Sequence, residues 1–207
     1  MGYTARRVFD RSLSPDTTLT GSIDVEALVA RYPANYLVKG MFCNRFIDTL
    51  GADFEALQSR LIAPPRGGRY FPFKDYPQAD YTRIVVAAAA KQFPDLSLAE
   101  ATRRAAREDF STFASSTLGK ITLTLVGDPH TALLRMPEAF GRIAPGPQLR
   151  AEECSARAAR MTLVGYYGSV EYMLGQFEGI VMSFQHSPVT VIHRVDRETL
   201  VFEVDHG

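Results

Sequence analysis

Four histidines, two cysteines, one isolated serine and a few neighbouring charges are the residues of this 207-residue chain that could do chemistry. Imidazoles bind metals or relay protons when two of them share a helical face or converge with carboxylates. His130, His186, His193 and His206 include no pair at i, i+3 or i+4 and no HExxH pattern, so no metal site is expected. Cys43 and Cys154 stand alone, without CxxC spacing, and read as small apolar residues of a reducing compartment. Ser155 lacks the GxSxG turn that would expose a nucleophile. Gly67-Gly68 lacks the spacing that cradles phosphate. Glu152 and Glu153 are adjacent in an expected strand, so they point to opposite faces and cannot act as an acid/base pair. Arg103, Arg104 and Arg107 share one helical face with Glu100 and Glu108 nearby, which reads as a solvated face, the alternative being a docking patch for an acidic partner. No catalytic residue is expected, and the chain is not expected to be an enzyme.

The elements that would position these residues follow from periodicity and caps. Residues 1–21 read as an N-terminal arm, a Ser/Thr-rich tether with one strand-like portion at Arg7-Val8-Phe9. Asp24 caps a short helix through Ala30, and Lys39 to Leu50 forms a second, stopped by Gly51. A third runs from Asp53 to Leu61. Tyr70 to Pro77 sets four aromatics among prolines, and these rings are expected to lie across a core surface. Gln78 to Gln92 is helical with a small-residue face. Ser97 and Glu100 read as a capping box for the next helix, and helix is expected to continue from Asp109 through about Val126. Asp128 and Pro129 start one more, to about Phe140. Two strands follow at Leu149–Cys154 and Ala158–Gly165, then a helix at Val170–Phe184, then alternating strands at Pro188–Arg194 and Thr199–Val204. Ser155-Ala156 could equally be a hairpin turn. Helices first, then strands with one inserted helix, is an α+β order. The expectation is a helical N-terminal part followed by a mostly antiparallel four-stranded sheet, with residues 22–207 as one domain.

Composition narrows the partners. With 46% hydrophobic residues the chain can bury a core, and 23 basic against 23 acidic side chains leave no field to gather phosphate backbones. Nucleic acid is not expected. No apolar run approaches the ~20 residues that span a bilayer, so no membrane association is expected and a cytoplasmic location is.

Several motifs, in order, resemble an uncharacterised bacterial family best known from myxobacteria. They are Val38-Lys39-Gly40-Met41-Phe42-Cys43-Asn44, the segment from Tyr76-Pro77 to Tyr81, Leu125-Val126-Gly127-Asp128-Pro129, Leu134-Arg135-Met136-Pro137, and Gly175 to Gly179. That family is in turn similar to the haem-dependent nitric oxide/oxygen-binding (H-NOX) domains and the small-molecule-binding domains named after vinyl reductase. The resemblance implies helices followed by a sheet with helices packed over it. In the haem-binding relatives a histidine before the sheet ligates iron and a Tyr-x-Ser-x-Arg motif holds the propionates. Carried over, this implies His130 as ligand and Ser155 and Arg157 as propionate contacts, with Glu153 standing where the motif has tyrosine.

Three readings of function result. The favoured one is a non-catalytic regulatory or sensory domain, with no cofactor, that binds a small apolar ligand between helices and sheet, its walls drawn from Met41, Phe42, Phe46, Phe113, Leu133 and Phe177. The second is a protein-interaction adapter or homodimer. The third is a haem gas sensor through His130.

Overall fold

The computed structural model describes residues 11–115 and 126–207, with the side chains of 112–115 outside the description. The strand reading at Arg7-Val8-Phe9 and the helix reading over 116–125 therefore lie outside the described residues. In chain order the elements are β1 (Ser12–Leu13), α1 (Val25–Val29), β2 (Leu37–Lys39), α2 (Gly40–Leu50), α3 (Asp53–Gln58), β3 (Asp75–Pro77), α4 (Gln78–Gln92) and α5 (Leu98–Ser115). After these come α6 (Pro129–Ile143), β4 (Gln148–Ser155), β5 (Ala158–Val164), α7 (Val170–Met182), β6 (Val189–Arg194) and β7 (Thr199–Asp205).

Capping residues fix the helix starts as their types dictate. The Asp24 carboxylate accepts the Ala27 amide at 3.0 Å, Asp128 accepts that of Thr131 at 2.8 Å, and the Ser169 hydroxyl that of Tyr172 at 3.1 Å. Ser97 accepts the Glu100 amide at 3.2 Å, but the reciprocal half of the expected capping box is not made. Glu100 instead turns inward and accepts the Leu19 amide at 3.0 Å.

The main sheet has five antiparallel strands in the order β1-β6-β7-β5-β4, one more than expected, because the arm contributes β1 at the edge beside β6. Alternation places Ala159, Met161 and Leu163 of β5, Ile192 of β6, and Leu200, Phe202 and Val204 of β7 on one buried face. Leu174, Phe177 and Val181 of α7 and Leu133 of α6 belong to the same core. Full burial of such side chains stabilises by about 1.5–3 kcal/mol each. A second core joins α2 to α5 through Cys43, Phe46, Leu50, Phe54, Ile84, Ala88, Ala101 and Ala105. Burial, and then the neighbouring Asp80 carboxylate, push the Cys43 thiol up to about 12, so it packs as an inert apolar group.

Three expectations change. Residues 11–21 are no loose tether, for Leu13 and Leu19 are buried in the sheet core. The arginine face of α5 is not solvated at Arg103, which is fully buried and bonded to Glu178 of α7 and to the backbone carbonyls of Ser14 and Thr17 in the arm. Arg107 joins the same Glu178 carboxylate at 2.7 Å. A guanidinium has five donors, and buried carboxylate and carbonyl acceptors here replace the water it leaves. The aromatic segment splits: Tyr70 and Tyr76 are buried edge to face, while Phe71 and Phe73 are 70% and 81% exposed.

Candidate functional site

Where the two cores face one another they leave a cavity of about 290 Å³. Helix α6 supplies one wall through Ala132, Arg135, Met136, Ala139, Phe140 and Ile143. Opposite lie Tyr81, Thr82, Val85 and Val86 of α4, Thr102, Asp109 and Phe110 of α5, and Tyr172, Met173, Gln176 and Ile180 of α7. Val38, Phe42 and Gln78 complete this part of the lining. Each helix spends one stripe on its own core and turns a second stripe here, which is why apolar residues at i, i+4 and i+7 of α6 (Met136, Phe140, Ile143) remain only half-buried.

Polar groups in the lining fall into two sets. One set is saturated: Asp109 accepts from Arg45, from the Tyr172 hydroxyl at 3.3 Å and from the Gln176 amide at 3.3 Å, and the Tyr81 and Tyr172 hydroxyls lie 2.5 Å apart. Burial raises the Asp109 carboxyl above the usual range against the opposing pull of Arg45. Burial likewise holds the Tyr81 and Tyr172 phenols well above their ordinary value, so both stay neutral. The other set is unsatisfied: the Gln78 Oε1 and Thr102 Oγ1 atoms are buried and have no hydrogen-bond partner.

No acid, base and nucleophile converge on this cavity among the described residues. The Ser169 hydroxyl of the lining serves as helix cap and donates to Glu171 at 2.7 Å.

The sequence-derived candidates scatter. Phe42 lines the cavity, whereas Met41 is 43% exposed, Phe46 belongs to the helical core, and Leu133 and Phe177 belong to the sheet core. The Phe113 side chain lies outside the description. Ser155 and Arg157 are exposed at the β4–β5 turn, where the Arg157 amide donates to Ser155 Oγ at 3.2 Å. His130 sits in the first turn of α6 and is turned toward His206 and Glu153, with its Nδ1 3.0 Å from His206 Nε2 and its Nε2 3.8 Å from Glu153 Oε2. His186 Nδ1 is 2.8 Å from the His206 carbonyl oxygen. Burial, then the neighbouring His130, lower the His206 imidazole below its ordinary value. Among the described residues no group of three or more His, Cys, Asp or Glu could hold a metal ion, and no helix is long and apolar enough to cross a membrane.

Sequence reasoning missed Gln78, Thr102, Tyr172, Gln176 and the α6 stripe. The stripe was visible as Met136, Phe140 and Ile143 at helical spacing. Gln78 and Thr102 carry no signal of their own.

Solved structures with this fold include H-NOX proteins. The Fe(II) unliganded H-NOX protein from K. algicida superposes with a TM-score of 0.64 at 19% identity, covering 82% of this chain and 96% of that one. A point mutant of T. tengcongensis H-NOX gives 0.60 at 21% identity, over 81% and 96%. Residues 31–205 match the family described as Protein of unknown function (DUF2378). No curated protein matches the sequence.

The residues present here do not fit an iron porphyrin. All four histidines of the chain are described, and none lines the cavity. The wall formed by α6 offers no imidazole or thiolate, and the two phenols opposite are held neutral. At about 290 Å³ the space is small for a porphyrin, and the Ser155 and Arg157 pair lies on the exposed hairpin turn.

Proposed function

Because the chain belongs to the DUF2378 family, whose function is unknown, and has the fold of H-NOX proteins, we propose that it is a non-catalytic sensory domain that binds one small, mainly apolar organic molecule in the cavity between α6 and the α4, α5 and α7 helices. The observation that carries this reading is the cavity itself: about 290 Å³ lined largely by Val, Ile, Met, Phe, Tyr and Ala, with little polar surface. Ligand sites are concave, mostly apolar and furnished with a few fixed polar groups, and this one lies near the small end of their ~300–1,000 Å³ range. An occupant would couple the two cores, since its lining is drawn from both. Binding to the folded chain alone would also raise stability by mass action.

The test is a fluorescence titration with N-phenyl-1-naphthylamine, an apolar dye whose emission rises on leaving water, on the wild type and on Ala132→Phe. Saturable one-site binding, weakened at least about tenfold in a variant that keeps its circular dichroism, is expected, since the new ring takes up the same space. Absence of saturation in the wild type, or equal binding in the variant, would overturn the reading.

A further inference from the structure

The chemical class of the ligand is written in the two unsatisfied atoms. Gln78 is the first residue of α4 and Thr102 lies one turn into α5, and both side chains line the cavity. Their residues are 6% and 0% exposed, yet Gln78 Oε1 and Thr102 Oγ1 have no hydrogen-bond partner. A buried polar atom left without a partner has given up its water and gained nothing in exchange. A helical threonine could satisfy its hydroxyl on the carbonyl one turn back; Thr102 does not. Among the other buried polar groups of the lining, the Asp109 carboxylate is engaged by Arg45, Tyr172 and Gln176, and the Tyr32 and Thr82 hydroxyls lie 3.0 Å apart.

We infer that the ligand is a small, uncharged molecule with an apolar body and at least one hydroxyl or N–H donor, received by Gln78 Oε1 or Thr102 Oγ1. The donor is required because a carbonyl oxygen can only accept; the threonine hydroxyl can complete the pair in either sense. The neutrality follows from the charges. Arg45 is already engaged by Asp109, and Arg135 on the opposite wall is exposed to solvent. An ion in the cavity would therefore lose its water without a free buried counter-charge.

This inference rests on the ligand-binding reading above, and matched probes separate the two. Indole and indene have nearly the same shape and differ in the N–H. Each is used to displace N-phenyl-1-naphthylamine from the wild type, Gln78→Leu and Thr102→Val. Indole is expected to bind at least about tenfold more tightly than indene to the wild type, because a site built around a hydrogen bond rejects the analogue lacking it. In at least one of the two variants the preference should shrink to within about threefold, with indene binding little changed. Dye binding with indole and indene equal on the wild type would overturn the donor inference and leave the cavity reading standing. Failure of the dye to bind would overturn both. Should Gln78→Leu not fold, the wild-type pair and Thr102→Val decide.

Discussion

Helix α7 has two flanks of opposite character. On the α5 side it is packed to backbone contact: a Cβ placed on Gly175 would lie 2.1 Å from the Arg103 carbonyl oxygen, and one on Gly179 would lie 2.8 Å from Phe110 Cβ. That side also carries the buried Glu178 carboxylate shared by Arg103 and Arg107. On the α6 side Met173, Gln176 and Ile180 face the cavity across from Met136 and Phe140. The same helix is thus locked on one flank and open on the other. On the ligand-binding reading proposed above, rigidity and room for a ligand would belong to different faces of this helix.

The largest effect should come from removing the lock. Glu178→Ala would leave two guanidinium groups, one of them fully buried, without their carboxylate, and a loss of about 3–5 kcal/mol is expected in urea unfolding. A loss under about 1 kcal/mol would mean that the α5 flank is held by shape alone. A sharper comparison adds carbon to each flank in turn. Gly175→Ala forces a methyl group against backbone and should cost about 1–3 kcal/mol. Ala132→Leu extends into the cavity and should change stability by less than about 1 kcal/mol in either direction. Equal losses in these two proteins would erase the distinction between the flanks.

The smallest effect concerns the histidines at the start of α6. His206 is lowered from its ordinary 6.5 by burial and by His130, so the unfolded chain takes up this proton first as pH falls. Its contribution is therefore flat above the unfolded value and becomes destabilising as pH drops through about 6.5 and on toward the lower folded value. Thermal midpoints at about pH 7.5 and about pH 5.5 should differ more in the wild type than in His206→Gln. A wild-type difference no larger than the variant's would show that the His130–His206 contact does not resist protonation.

Much of this architecture is legible in residue order. The stripe of α2, the small-residue face of α4, the caps Asp24 and Asp128, and the alternation of β6 and β7 are local consequences of side-chain type, and the structure contains each. The motifs around Gly40, Tyr76, Asp128, Met136 and Gly175 led to a fold of H-NOX type, which the structure has. The site was harder to read. Met41 and Phe42 are neighbours on one helix, yet only Phe42 faces the cavity. A helical stripe says which residues are apolar, and it does not say which of two cores they will join.

What the sequence by itself determined is the set of elements, their order, the apolar face of most of them and the absence of a recognisable catalytic motif. Those depend on contacts between residues close in the chain, where periodicity and capping chemistry act. Only the tertiary structure decided that Arg103 is buried against Glu178, that the arm enters the sheet, that His130 meets His206 rather than the cavity, and that Gln78 and Thr102 line one cavity with an unsatisfied atom each though 24 residues apart in the chain. Each of these is a matter of which distant groups share a low-dielectric space, and a polar side chain has no fixed cost until its partners, or their absence, are known.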